Sequence, residues 1–328
     1  MKPVALLLVA FIALGAPTPA LAYLKFGVRI GSEVVDVRWT RPVPYFVNER
    51  EIQGVTSTEL RDVIARAFAT WQAAPKTSLQ SQFQGFTTVP PGVQDQRTTF
   101  GFLDRPDLDR VLGATSFLLD ASTGEILEAD VFFNTRFNWS VAAAGESGRV
   151  DLESVALHEI GHLLGLGHSA VGETEMIAGG RRVIASGAVM FPIAFSAGST
   201  AERVLQADDR AGISELYPAA DFSSTTSSIS GRITKNSAGV FGAHAAAVNL
   251  ETGAVIGGFA LNADGEYVIG GLSPGAYLVR VEPLDDASTD SFFNGVIDVD
   301  FLVTYGTRVV IAPEGGGSDP LNVEVRPK

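Results

Sequence analysis

The stretch Leu157-His158-Glu159-Ile160-Gly161-His162-Leu163-Leu164-Gly165-Leu166-Gly167-His168-Ser169 holds three of the chain's four histidines. Upstream, Leu152, Val155, Ala156, Ile160 and Leu163 recur at helical spacing, which predicts a helix beginning after Asp151. On such a helix His158 and His162 stand four residues apart, one above the other on the same face, so one cation can reach both imidazoles. Glu159 is turned about 100° from His158 and lies beside such a metal, where a carboxylate takes a proton from an attacking water. A third ligand from the same helix would strain it, so the chain has to stop and return. Gly165 suits a left-handed residue at the helix end, and Gly167 eases the return of His168. Three histidines leave the fourth tetrahedral position open for water, which distinguishes catalytic from closed structural zinc sites.

The rest of the composition constrains what can surround this centre. The chain has 328 residues, about two domains' worth, and is 46% hydrophobic and 19% charged, which excludes a disordered polyelectrolyte. Its formal charge of −13 excludes a phosphate-binding basic face, so nucleic acid is not an expected partner. There is no cysteine. Disulfides, thiolate catalysis and Cys-ligated metals are therefore all excluded, and metal chemistry has to use histidine and carboxylate. Residues 1–22 read as a secretory signal: Lys2, an apolar run from Val4 to Leu14, then Ala20-Leu21-Ala22 as the cleavage site. With Gly15, Pro17 and Pro19 interrupting it, the run is too short for a transmembrane anchor. The expected location is secreted, extracellular or periplasmic.

Composition shifts at residues 218–228, where Ser and Thr replace periodic apolar residues, a linker signature. Residues 23–217 mix helix and strand signals. Leu60, Val63, Ile64, Ala67, Phe68 and Trp71 form one helical stripe, with Thr56 and Glu59 at capping-box spacing and Pro75 beyond its end. Val111–Leu119 and Ile126–Phe133 read as strands joined by a turn at Asp120–Gly124. Residues 229–328 read differently: short β-rich runs (Ile229–Thr234, Ala245–Leu250, Tyr267–Ile269, Ala276–Val281, Val296–Val303, Arg308–Ile311, Leu321–Val325) between Gly, Pro, Asn and Asp suggest a small all-β sandwich. No constellation of acid, base and nucleophile occurs there, and His244 reads as a packed or surface residue. The default role of this part is a spacer or an adhesive module, with surface or matrix binding as its expected contribution.

On these residues the chain resembles the metzincin zinc endopeptidases, whose H-E-x-x-H-x-x-G-x-x-H is matched from His158 to His168. Within that clan it is most similar to the matrixins. Ala188-Val-Met190-Phe-Pro192 resembles their methionine turn, Ser169 follows the third histidine as theirs does, and Leu205-Gln-Ala-Asp-Asp-Arg-Ala-Gly-Ile-Ser-Glu-Leu-Tyr217 resembles their last helix. The resemblance runs from about Arg38 to Tyr217. It implies an α+β metzincin-like catalytic domain, a twisted mixed sheet with about three helices, that hydrolyses peptide bonds in proteins. It also implies Met190 as a soft apolar floor under the imidazoles. Asn262–Val281 resembles a hairpin of carboxypeptidase-regulatory-like (transthyretin-like) domains.

Departures from the family pattern carry expectations of their own. Phe132 stands where matrixins have a structural-zinc histidine, and Asn134 and Phe137 stand where carboxylates bind calcium. One catalytic Zn²⁺ is therefore expected, with Ca²⁺ as the chemistry of any second metal. Residues 169–187 form an insertion after the third ligand, placed either along the cleft or as a surface excursion. Pro192-Ile193-Ala194 lacks the usual tyrosine of the specificity-pocket wall. Tyr23–Arg38 leaves no room for a prodomain of the usual size, and without cysteine there is no cysteine switch. An extended substrate is expected to add a strand along Val111–Phe117. The rival reading, an exported binding or adhesive protein with a catalytically inactive metal domain, is opposed by the intact Glu159.

Overall fold

The structure is a computed structural model that describes residues 4–7, 25–31, 33–177, 180–192, 197–284 and 297–328. The expected cleavage site at Ala20–Ala22, and Ile193 and Ala194, lie outside the described residues. The N-terminal part is built on a six-stranded mixed sheet. In chain order its elements are β1 (Val4–Leu7), a hairpin of β2 (Gly27–Ile30) and β3 (Glu33–Asp36), β4 (Val43–Asn48), helix α1 (Ser57–Gln72), β5 (Ser81–Thr87), β6 (Thr99–Leu103), β7 (Gly113–Asp120) and β8 (Ile126–Asn134). The sheet order is β1-β7-β8-β6-β4-β5. β5, β4, β6 and β8 run parallel, whereas β7 pairs antiparallel with β8. Two-residue strands β9 (Trp139–Ser140) and β10 (Val150–Asp151) then lead into helix α2 (Leu152–Leu163).

α1 forms as the spacing predicts. Thr56 caps it, Glu59 closes the capping box, and all six residues of the apolar stripe are buried. That stripe packs on the parallel strands: Tyr45 of β4 stacks on Phe68 at 4.8 Å between ring centroids, and Phe100 of β6 meets both edge-on. Because α1 also packs against α2, its Trp71, fully buried, reaches across to donate its indole N–H to the Leu157 carbonyl at 2.9 Å. β7 alternates buried and half-buried residues along its length, which turns Gly113, Thr115, Phe117 and Leu119 toward α2.

After α2 the chain forms a hairpin, β11 (Gly172–Ile177) and β12 (Gly180–Ser186), from the inserted residues 169–187. Helix α3 (Ala207–Leu216) follows. Residues 218–228 carry a one-turn helix, α4 (Phe222–Thr225), tied back by a Lys76–Asp221 ion pair at 2.5 Å, and the next strand starts at Ser227. The C-terminal part contains β13 (Ser227–Lys235), β14 (Ala238–Gly239), β15 (His244–Asn249), β16 (Val255–Phe259), β17 (Glu266–Leu272), β18 (Gly275–Glu282), β19 (Thr304–Tyr305), β20 (Val310–Ala312), β21 (Gly316–Gly317) and β22 (Val323–Val325). These form two sheets, one centred on β13 with β14, β17, β21 and β22, the other on β15 and β18 with β16, β19 and β20.

Two details differ from the expected strands. Of the expected run Val296–Val303, residues 297–303 form no strand, and the pairing falls on β19 instead. β16 was missed in the sequence because its Gly257 and Gly258 break the β-rich pattern. The buried apolar residues of the two halves form one continuous core, from Val37 and Trp39 through α3 to Ile229, Ile269 and Val279. Among the described residues no helix is long and apolar enough to cross a membrane.

Candidate zinc-protease active site

Asp151 opens α2 by accepting the Ser154 amide at 2.9 Å, and Arg203 clamps the same carboxylate at 2.5 Å. The helix then carries His158, Glu159 and His162 and ends at Leu163. Gly165 has φ +104°, and a Cβ there would stand 2.1 Å from the Val37 carbonyl oxygen, so the turn demands glycine both for its conformation and for its closeness to the neighbouring chain. The reversal brings His168 back over the helix.

The three imidazoles meet. His162 Nε2 is 3.1 Å from His158 Nε2 and 3.2 Å from His168 Nε2. Two nitrogens bound to a tetrahedral ion at ~2.0–2.1 Å sit about 3.3 Å apart, so this spacing fits zinc. The proton positions fit as well. His158 Nδ1 lies 2.8 Å from the Val189 carbonyl, and His162 Nδ1 lies 2.8 Å from the Leu166 carbonyl. Those bonds require the proton on Nδ1, which turns the bare Nε2 lone pairs toward one another, an arrangement that calls for a shared cation. Burial and the neighbouring His168 ring lower His158 to about 4, and burial together with both neighbouring rings takes His162 well below its ordinary value. Both are neutral at neutral pH, the form that can offer a lone pair to a metal. Among the described residues, His158, His162 and His168 are the one group of three or more His or carboxylate side chains close enough to hold a metal ion.

Glu159 is buried beside this cluster, at 5% exposure. Thr115 of β7 donates its hydroxyl toward the carboxylate, 2.8 Å from Oε2, with the Glu159 carbonyl 2.9 Å away. Gly113, two residues back on the same face, leaves room for it: a Cβ there would lie 3.2 Å from Glu159 Cγ. Burial pushes the Glu159 carboxyl up to about 7, against the Thr115 hydrogen bond, which lowers it. A carboxyl in that range exchanges protons near neutral pH, as a general base and then acid needs to do.

Met190 lies under the helix at 2% exposure, its sulfur so close to Gly161 that a Cβ there would come within 2.2 Å of it. The turn that carries Met190 is fixed from α3, where Asp209 accepts the amides of Val189 at 2.8 Å and Met190 at 3.1 Å. Thr115, bonded to Glu159, and Asp209, bonded to the methionine turn, are the residues around this cluster that the sequence did not reveal. Thr115 shows only as one member of an alternating strand, and the adjacent Asp208 and Asp209 look like ordinary acidic residues in a helix's first turn. His244 is packed, 1% exposed, with Nδ1 at 3.0 Å from Glu282.

The family departures are filled by protein contacts. Arg105 lies over the Phe132 ring, 5.4 Å from its centroid. Asn134 Nδ2 reaches the carbonyls of Arg105, Leu108 and Val111 at 2.9–3.2 Å. Phe137 packs against the core beside Trp139.

The chain is 34% identical over 149 residues to the metalloendoproteinase 4-MMP of Arabidopsis thaliana, covering 42% of this chain and 40% of that protein. It is 30% identical over 202 residues to 2-MMP of the same plant, covering 58% and 46%, and 34% identical over 91 residues to matrix metalloproteinase-25 of Mus musculus, covering 28% and 12%. The aligned region thus spans less than half the length of each of these relatives. The matrixin family model matches residues 38–218, the segment that contains β4 to β8 of the sheet, all three clustered histidines, the methionine turn and α3, and by that match the chain belongs to the matrixin family.

Proposed function

We propose that the protein is a secreted zinc-dependent endopeptidase that hydrolyses peptide bonds in protein substrates. The observation that carries this reading is the convergence of three imidazole Nε2 atoms next to a buried carboxylate held by Thr115. A zinc ion held by His158, His162 and His168 supplies Lewis acidity to the scissile carbonyl and the attacking water. Glu159 takes the proton of that water and delivers it to the leaving amine. Thr115 keeps the carboxylate aimed, and Met190 and Gly165 support the ligands from below and behind.

The substrate lies extended along the outer edge of β7. In support, that edge pairs antiparallel with Val4–Leu7, from Asp120 opposite Val4 to Phe117 opposite Leu7, so it accepts an added strand. Cleavage of the leader near Ala22 vacates it. The two C-terminal sheets we read as a small β-sandwich, and exposed Leu302, Val303, Tyr305, Val309 and Ile311 around β19 and β20 support a surface- or matrix-binding role for residues 229–328.

The test is a peptide-library digestion by the purified chain with and without a zinc chelator, accompanied by metal analysis and by Glu159→Ala. The expected result is one zinc per chain, cleavage abolished by the chelator, and a Glu159→Ala variant that keeps its zinc but cleaves ~10²–10⁴-fold more slowly. Undiminished cleavage by a zinc-loaded Glu159→Ala variant removes Glu159 from the mechanism.

A further inference from the structure

Behind the histidine cluster, one buried carboxylate joins the two halves of the molecule. Asp208, in the first turn of α3, is 3% exposed. Its Oδ2 accepts the Ser169 hydroxyl at 2.5 Å and its Oδ1 accepts the Gly257 amide at 2.7 Å. Ser169 directly follows His168. Its own amide bonds to the Met190 carbonyl at 2.9 Å, and its Oγ accepts the Val171 amide at 3.1 Å. Gly257 belongs to β16, in the C-terminal part of the chain. A carboxylate out of water is costly unless its oxygens are hydrogen-bonded, and here one donor comes from each half.

The surrounding contacts make this seam tight. A Cβ on Gly257 would stand 2.4 Å from His244 Nε2 and 3.0 Å from Val171 Cγ2. On β17, a Cβ at Gly270 would stand 2.7 Å from Glu215 Oε2 and one at Gly271 would stand 2.9 Å from Ala211 Cβ, both on α3. Gly270-Gly271 thus lets β17 lie directly on α3, the helix that holds the methionine turn, while Gly257 brings β16 against Val171 and within hydrogen-bonding reach of Asp208. The same first turn of α3 reaches His158 as well, because Asp209 fixes Val189, whose carbonyl receives His158 Nδ1.

We propose that residues 227–325 are a working part of the metal site. The Gly257 amide fixes Asp208, Asp208 fixes Ser169, and Ser169 sets the return of the chain that presents His168. Asp208 is a positioning residue, and the C-terminal part is a brace on the third ligand in addition to any binding role. This inference rests on the reading of the three histidines as a zinc site.

Linkage supplies the test, because a brace that favours the metal-bound loop has to be tightened by the metal in return. Amide hydrogen exchange is followed on the full-length wild-type chain with zinc bound and after removal of zinc by a chelator. Zinc stoichiometry is measured first, and a chain that binds no zinc overturns the active-site reading itself. If zinc is bound, its removal is expected to speed exchange of the Gly257 amide and its β16 neighbours by ~10-fold, with Gly239 and the distant β22 amides as unaffected controls. Unchanged exchange in β16 overturns the brace while leaving the active site standing. In the full-length Ser169→Ala variant, which deletes one hydroxyl, zinc release to a chromogenic chelator is expected to quicken ~10-fold, and kcat on a short peptide to fall with KM unchanged. Zinc release at the wild-type rate likewise overturns the proposal.

Discussion

Gly161 sits between Glu159 and His162, and Gly161→Ala sets two calculable effects against each other. Inside a helix alanine is favoured over glycine by ~0.8–1.0 kcal/mol, so on propensity alone the variant is more stable. The packing says the reverse. The new Cβ would lie 2.2 Å from Met190 Sδ, 2.9 Å from Trp71 Cζ2 and 3.0 Å from Met190 Cε. Ordinary carbon contacts begin near ~3.5 Å, so the sulfur has to retreat by more than ~1 Å. Neither neighbour yields cheaply. Trp71 is fully buried and anchored by its bond to the Leu157 carbonyl, while the Met190 backbone is held at its amide by Asp209 and at its carbonyl by Ser169. Overpacking of this kind costs ~1–3 kcal/mol, which against the propensity gain leaves a net loss of up to about 2 kcal/mol. In a catalytic segment of this size that lowers Tm by ~2–4 °C per kcal/mol. Because the displaced turn also carries the Val189 carbonyl that orients His158, zinc should be held less tightly too. Thermal melts of wild type and variant, each with and without zinc, decide the matter. A variant that melts at or above the wild type refutes the packing argument.

Three further outcomes follow from single contacts. Thr115→Val keeps the side-chain shape but removes the hydroxyl on Glu159, so kcat should fall ~10-fold with zinc content and KM unchanged, while Thr115→Ser retains most activity; steady-state kinetics with metal analysis checks both. Tyr217→Phe strands the Trp39 amide and the Leu164 carbonyl, which the hydroxyl meets at 3.1 and 2.7 Å, and should cost ~1–3 kcal/mol in urea unfolding. Burial raises the Asp130 carboxyl to about 7, so the folded chain holds that proton more tightly than the unfolded one. Its contribution is therefore fully present below about pH 4 and is lost as pH rises through about 7. Non-titrating Asp130→Asn should gain stability relative to the wild type over that interval, and paired melts across it that stay parallel would contradict the assignment.

Sequence periodicity made legible the elements whose reasons are local. The α1 stripe, its Thr56 cap, the β7–β8 hairpin and the start of α2 at Asp151 are set by spacings of two, three and four residues, and the histidine spacing placed two ligands on one face without tertiary knowledge. The partners supplied by other elements were invisible. Nothing near Thr115 in sequence indicates that it meets a carboxylate 44 residues away, and nothing near Asp208 indicates that it bonds a glycine amide 49 residues away. β16 was hidden for a related reason: its two glycines lower its strand character, and Gly257 admits Val171 and His244 at close range while its amide bonds Asp208, which only the folded neighbours explain.

The segment that departs from the matrixin pattern obeys the same rule of substituted partners. A metal ion in such a region cross-links loops to the sheet, and here side chains make those cross-links. Asn134, at 0% exposure, ties β8 to the 105–111 loop through three carbonyls, with Arg105 and Arg136 amides on its Oδ1. Arg105 itself folds over Phe132, placing a cation near the position that the family resemblance assigns to a zinc ligand. Also from β8, Asp130 accepts the amides of Gly92 in the neighbouring loop and Thr99 of β6 at 2.6 and 2.7 Å, and Glu128 accepts that of Gln96 at 2.6 Å. Carboxylates already engaged by backbone N–H groups offer fewer lone pairs to a cation, and an amide has no charge to offer one. These loops are thus cross-linked to β8 through neutral amides, backbone N–H groups and an aromatic face, so their order should not depend on calcium as it would where an ion is the cross-link.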